Sequence, residues 1–131
     1  MMSTRHLAFP HVWRERPWAD IALDHRELAD HNPALPHLRA ITESVLAGDG
    51  AQQLSALTSH YDLLVTPRPV PTHPPIEYLH VRTDLEPGTG YVVIEHVTPS
   101  GRNDKISRPP TEAVALFWRF VAEKFGITSG T

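Results

Sequence analysis

The polar residues best suited to chemistry lie in one stretch, residues 76–98, where two alternating segments flank a Pro-Gly-Thr-Gly turn. The first segment carries His80 and Arg82, and the second carries Glu95. A histidine oriented by a carboxylate can act as a general base, and a neighbouring arginine can hold an anionic substrate. This stretch therefore predicts a β-hairpin with a small polar site on one of its faces.

Whether these side chains meet depends on the register of the hairpin, because a slip by one residue moves every side chain to the other face. One register pairs Val81 with Ile94 and groups the apolar residues on a single face. In that register His80 faces Glu95, and Arg82 lies on a diagonal that long side chains can span. A slip by one residue puts an apolar side chain opposite Glu95. We favour the first register, whose polar face presents the candidate ligand-binding residues Tyr78, His80, Arg82, Tyr91 and Glu95.

An ordinary cluster of cross-strand ion pairs explains the same residues without any function, since such pairs contribute about 0.2–1 kcal/mol to a sheet. Motifs that would favour catalysis are absent. The sequence has no G-x-S-x-G elbow, and its nine histidines show no H-x-x-x-H, H-E-x-x-H or H-x-H spacing. We therefore expect no metal site and no cofactor. No catalytic residue is assigned, and the candidates remain His80, Glu95 and Arg82.

The length and composition of the chain exclude several classes of protein. A chain of 131 residues fits one domain, 1–131. A net charge of −3 provides no basic field to attract nucleic acid. The chain has no cysteine, which excludes disulfides and thiolate metal sites. It also has no apolar run of signal-peptide or membrane-span length. These features predict a cytoplasmic protein that binds neither nucleic acid nor membrane.

Helical patterns dominate the first half of the chain. Residues 1–17 show no clear period and predict an arm or an edge strand. Apolar residues at helical spacing then predict N-terminal helices over about 18–30, 33–47 and 50–57. Asn32-Pro33 separates the first two helices, and a glycine at position 48 ends the second.

The second half of the chain predicts strands followed by one helix. Alternating segments predict strands over about 60–66, 76–83, 90–98 and 104–108. The five prolines of residues 67–75 predict an extended connection, either a stiff loop or a docking strip for a partner. A broad apolar stripe predicts a C-terminal helix over about 111–125, capped by Thr111 and ended by Gly126.

These elements predict an α+β fold with a four-stranded, mainly antiparallel sheet and all helices on one face. The function that we expect is a non-catalytic module that meets a protein partner or a small ligand through the open sheet face. The alternative is a small enzyme in which the His/Glu/Arg cluster acts as base and anion holder on an anionic or carbonyl substrate. The C-terminal helix carries more apolar residues than one sheet face usually needs, which leaves room for a homodimer interface.

Overall fold

The computed structural model of this chain describes residues 9–31, 36–84 and 90–128. An antiparallel sheet follows three N-terminal helices, and a last helix comes after it, which confirms the α+β class. The elements are α1 (Trp18–His31), α2 (Pro36–Ala47), α3 (Gly50–Gln53), β1 (Leu54–Ser59), β2 (Asp62–Pro67), β3 (Tyr78–Asp84), β4 (Tyr91–Val97), β5 (Asp104–Arg108) and α4 (Ala113–Phe125). The sheet order is β1-β2-β3-β4-β5, so every strand pairs with its neighbour in sequence.

Within the described residues the sheet has five strands, so the prediction of four is wrong. The additional strand is β1, which lies within residues 50–57, where we expected helix; α3 has only four residues. Leu54 and Leu57 fit one helical face as well as they fit a strand, because short apolar runs do not distinguish the two. Tertiary pairing decides the outcome, since β1 is paired with β2 from Leu54 to Ser59.

One face of the sheet is closed by helices, and we call it the helix face. Strand residues such as Leu63, Val81 and Ile94 are fully buried there against helix residues such as Ile41 and Phe117. The predicted end of α4 is confirmed, because Gly126 adopts a left-handed φ of 69°. The predicted cap at Thr111 is wrong: a 3₁₀ turn over Pro110–Glu112 precedes α4, and the N-cap residue of α4 is Glu112, which makes no side-chain capping hydrogen bond.

The broad aromatic stripe of α4 is used inside the chain. Trp118 Nε1 donates a hydrogen bond to Ser44 Oγ on α2 at 3.0 Å. The indole ring also covers Gly50, where an added Cβ would lie only 2.8 Å from Trp118 Cη2. Helices α2 and α3 therefore bury part of the apolar surface of α4, and the homodimer interface stays a prediction.

The opposite face of the sheet, which we call the second face, is half covered by the N-terminal arm. Phe9 pairs with Ile76 in an isolated antiparallel bridge, and Trp13 is buried against the sheet. The covered half is an apolar cluster of Trp13, Leu57, Leu64, Ile76, Tyr78 and Val97, with Phe9 and Val70 packed against it. The prediction of an arm applies to residues 9–17; residues 1–8 lie outside the described part of the chain.

A series of consecutive hydrogen bonds links this arm to the sheet and to the proline-rich connection. Trp13 Nε1 donates to Ser55 Oγ at 3.0 Å, and Ser55 donates to Glu15 Oε1 at 3.0 Å. Arg68 binds both Glu15 oxygens, at 2.8 and 2.9 Å. The bond from Arg68 holds the pKa of the Glu15 carboxyl below its usual value. The arm is therefore held by both apolar contacts and charge-assisted hydrogen bonds.

Among the described residues, no helix is long and apolar enough to cross a membrane.

Candidate functional site

The hairpin of β3 and β4 has the register that we favoured. Val81 lies opposite Ile94, and His80 lies opposite Glu95. Because side chains alternate along a strand, His80, Arg82 and Glu95 all project onto the second face. The structure therefore brings the three candidate catalytic residues onto one face, beside the edge of the covered half.

His80 is paired with a carboxylate from the neighbouring strand. Leu64 of β2 lies opposite His80, which places Asp62 two residues along on the same face. His80 Nε2 lies 2.8 Å from Asp62 Oδ2. The His80 side chain is only 11% exposed, and its Nδ1 atom is buried. The imidazole is thus oriented by Asp62, and its second nitrogen points away from solvent.

Glu95 is a buried carboxylate with side-chain donors on both oxygens. Arg82 Nη1 lies 3.4 Å from Oε1, and Asn103 Nδ2 donates to Oε2 at 3.3 Å. Asn103 also accepts a hydrogen bond from the Thr98 backbone N–H at 2.9 Å, so it links the β4–β5 turn to the carboxylate. Burial of a charge is costly unless it is paired in this way. Glu95 therefore orients Arg82 rather than facing solvent itself.

The two candidate tyrosines occupy different environments. Tyr78 belongs to the covered half, where it is 5% exposed and its ring lies 6.4 Å from that of Trp13. Burial, and after it the charge of Glu95, raises the pKa of the Tyr78 hydroxyl. Tyr91 is 38% exposed at the far end of β4. The structure therefore does not bring Tyr78 and Tyr91 together.

The side chains of Asp62, His80, Arg82 and Glu95 form a row on the second face that we call the polar row. An open groove adjoins it on the part of the second face that we call the open half, formed by Arg82, Val93, Lys105 and Ser107. Lys105 lies opposite Glu95, and Ser107 lies opposite Val93. The groove has a volume of about 330 Å³ and is lined by the open half together with Thr83. In this groove two cationic side chains and the Ser107 hydroxyl surround the apolar side chain of Val93.

The sequence prediction missed Lys105 and Ser107 as site residues. Their spacing in Asp104–Arg108 does predict one shared face, because alternate residues of a strand point the same way. Which face they share depends on the pairing of β5 with β4, and that pairing has no signature in the local sequence.

A second cavity of about 330 Å³ lies between α1 and the β1–β2 turn. It is lined by Asp24, Glu27, Leu28, His31 and Tyr61. Asp24 is already bound to Arg16 at 2.7 Å, and the ring of His31 contacts the carbonyl of Glu27 at 2.8 Å. Two of the polar side chains that line this cavity, Asp24 and His31, are thus engaged with the protein itself.

Two further histidines are buried on the helix face. His25 Nε2 donates to the Tyr61 carbonyl at 2.9 Å, and its Nδ1 lies 2.7 Å from Thr42 Oγ1. His37 Nε2 lies 2.6 Å from Thr83 Oγ1. Burial lowers the pKa of both imidazoles, and proximity to His25 lowers that of His37 further. Both side chains therefore belong to the core, where burial favours the neutral imidazole.

Within the described ranges, no group of three or more His, Asp or Glu side chains is placed to hold a metal ion. No family model, curated protein or solved structure matches the chain. The side chains themselves must therefore carry any functional inference.

Proposed function

We propose that this protein is a non-catalytic binding module that takes a small carboxylate- or phosphate-bearing ligand in the groove of the open half. The observation that carries this function is the lining of the groove, in which Arg82, Lys105 and Ser107 surround Val93. Ligand sites typically combine an apolar surface with a few fixed polar groups, as this groove does.

Arg82 supplies the oriented donor. Its guanidinium contacts Glu95, which is 7% exposed and fixed by Asn103. A guanidinium presents five N–H donors, so a contact with Glu95 leaves others for a second anion. The planar fork of arginine matches the geometry of carboxylate and phosphate groups. An anion in the groove would thus meet a donor that is oriented before it binds.

Two cationic side chains lie close together at the groove. Arg82 and Lys105 both lie next to Glu95 across the strands, and that single carboxylate balances only one of them. Asp62, the other nearby carboxylate, is bound to His80. Both cations line the groove, so a carboxylate or phosphate bound there would contact them, and the Ser107 hydroxyl could donate one further hydrogen bond to it.

A small enzyme that uses His80, Glu95 and Arg82 remains the second candidate, favoured by the short contact between His80 and Asp62. A general base must lie within hydrogen-bond reach of the proton that it removes. His80 does not line the groove, its Nε2 is engaged by Asp62 and its Nδ1 is buried. These contacts support binding over catalysis.

Titration with inorganic phosphate and with citrate, followed by the backbone amide signals in NMR spectra, tests this function. We expect shifts concentrated at Arg82, Val93, Lys105 and Ser107. Lys105→Gln removes one cation from an exposed position and should weaken binding at least about tenfold, or about 1.4 kcal/mol.

Arg119→Gln is the matched control, because Arg119 is an exposed cation on α4 whose partner, Glu123, is exposed as well. It should leave the affinity unchanged. Absence of shifts at about 10 mM of either anion, where even a millimolar dissociation constant gives near-saturation, would overturn the proposal. Equal weakening by both variants would indicate a general charge effect and would overturn it as well.

A further inference from the structure

The outer edge of β5 is one of the two ends of the sheet in the part of the chain that the structure describes. Four of its five residues, all except Ile106, are exposed. Its Ser107 carbonyl accepts a hydrogen bond from the side chain of the adjacent Arg108 at 2.9 Å, a local contact that a docking strand can replace. An edge of this kind presents backbone donors and acceptors that can pair with another strand.

We propose that two copies of this chain pair through antiparallel β5 strands about a two-fold axis at Ile106, which joins their sheets into one of ten strands. Such an isologous contact uses the same surface on both copies, so its sequence must complement itself. The five residues of β5, Asp-Lys-Ile-Ser-Arg, meet this requirement in one register only.

The register follows from geometry and charge. A two-fold axis normal to the sheet preserves its faces, so paired residues must point the same way. The axis can therefore pass through Lys105, Ile106 or Ser107. An axis at Lys105 sets two lysines against each other, which is unfavourable. An axis at Ser107 sets Lys105 against Pro109, which cannot donate a backbone hydrogen bond.

With the axis at Ile106, every residue of β5 lies opposite a residue of β5 in the second copy. This axis sets Asp104 opposite Arg108 of the second copy, and by symmetry the same pair forms twice. It also sets Lys105 opposite Ser107, a pairing of a cation with a neutral hydroxyl. Charged side chains on an edge strand normally discourage pairing with other strands. In β5 the charged side chains disfavour the shifted registers and favour the register with the axis at Ile106, so they make the contact specific.

Ion pairs within each copy extend the new contacts. Asp104 is bound by Lys124, and Arg108 Nε lies 3.9 Å from Glu112 Oε1. At the paired edge, Lys124, Asp104, Arg108 of the second copy and its Glu112 would form a row of alternating charge. Isolated exposed ion pairs contribute little, whereas a network of charges contributes more.

The pairing has a consequence for the groove. Ser107 lies in its lining and would face Lys105 of the second copy on the same side of the sheet. The two grooves would adjoin across the axis, and each would gain a cation. This consequence depends on the proposed ligand site, whereas the strand pairing does not.

Sedimentation equilibrium over a range of concentrations tests the pairing. The wild-type mass should rise from 14.7 kDa towards twice that value. Arg108→Glu sets two acids against each other and Asp104→Arg sets two bases, so each variant should raise the dissociation constant at least about tenfold. An equimolar mixture of the two variants restores both opposite-charge pairs and should recover the dimer. Arg119→Glu, the same charge reversal on α4, should not change the mass.

Disulfide trapping gives an independent test, because the chain has no cysteine of its own. In an antiparallel pair, facing Cα atoms lie about 4.5–5.5 Å apart, within the range that a disulfide spans. Ile106→Cys should therefore form a covalent dimer on oxidation. Ser107→Cys is the matched control, because its counterpart lies two residues away along the second strand, beyond disulfide reach.

A wild-type protein that stays monomeric up to about 1 mM would overturn the pairing. So would a dimer that both charge variants leave intact, or equal crosslinking at positions 106 and 107. Circular dichroism of each variant shows whether it is folded, and the cysteine variants decide the question if a charge variant unfolds. A monomeric protein that still binds phosphate would refute the dimer and leave the ligand site standing.

Discussion

The two faces of the sheet are built from the same five strands but are closed in different ways. Three long helices and the strands bury the helix face in one continuous apolar cluster. The second face is divided: the N-terminal arm covers one half, and a polar row and an open groove occupy the rest. The same alternation of side chains therefore produces a sealed core on one side and a surface suited to binding on the other.

The difference lies in what covers each face. Helix α4 is strongly amphipathic and follows the sheet closely in the chain, so its position is nearly dictated by its own sequence. The arm is irregular and reaches residues more than forty positions away, such as Ser55 and Ile76. It covers only part of the second face, and the groove lies where it stops.

The largest expected effect concerns the covered half. Trp13→Ala removes a buried indole and its hydrogen bond to Ser55, so we expect the free energy of unfolding to fall by about 3 kcal/mol. Urea denaturation measures this loss. Val12→Ala, a change at a neighbour that is 66% exposed, is the control and should alter stability by less than about 0.5 kcal/mol. A loss below about 1 kcal/mol for Trp13→Ala would show that the arm is not part of the cooperative core.

The second largest effect is a pH dependence of the stability, which comes from two histidines buried on the helix face. Burial lowers the pKa of His25 and His37 from the ordinary value of 6.5. Below that value the unfolded chain binds more protons than the folded one. Above about pH 6.5 these two histidines therefore do not reduce the free energy of unfolding. As the pH falls towards the lowered folded-state pKa, the free energy of unfolding decreases by up to about 1.4 kcal/mol per pH unit for each histidine.

Urea denaturation at about pH 7.5 and about pH 5.5 measures this dependence, because the Glu15 carboxyl titrates only at lower pH. His25→Gln keeps an amide donor for the Tyr61 carbonyl and should reduce the difference between the two pH values. His11→Gln, at an exposed position, should not. Equal wild-type stability at both values would contradict a neutral, buried pair of imidazoles.

The smallest effect concerns the polar row of the second face. A double-mutant cycle with Asp62→Asn and His80→Gln should give a coupling energy of about 1 kcal/mol, since the His80 side chain is largely buried and the contact is short. The exposed pair of Arg119 and Glu123 should give less than about 0.5 kcal/mol. If the two couplings are equal, Asp62 and His80 form an ordinary surface pair that orients nothing.

Local patterns predicted most of the fold. Helix α4 and strands β3 and β4 follow from long, strongly periodic segments, and the register that grouped the apolar residues is the one that forms. The prediction failed at β1, where two leucines three positions apart suit either a helix or a strand. The pairing of β1 with β2 is a contact along the whole strand, and the local propensity of residues 54–59 does not contain it.

The candidate site was predicted only in part. His80, Arg82 and Glu95 stand out because they are polar residues in apolar strands, and they share a face as expected. Asp62 and Lys105 were not assigned as site residues, because their proximity to His80 and Glu95 depends on how β2 and β5 pair with the hairpin. Tyr78 was expected beside a ligand but is buried under the arm, because aromatic contact with Trp13 and Phe9 removes it from water.

The sequence alone determined which side chains of each predicted strand within residues 76–98 share a face, because the period of a strand is a local property. The register between the two strands was one of two alternatives, and the pairing of β3 with β4 decided it. Only the tertiary structure decided which part of the second face stays open. That outcome depends on where a distant arm lies and on which strands flank the hairpin. Both are set by contacts between residues far apart in the chain, and no local pattern encodes them.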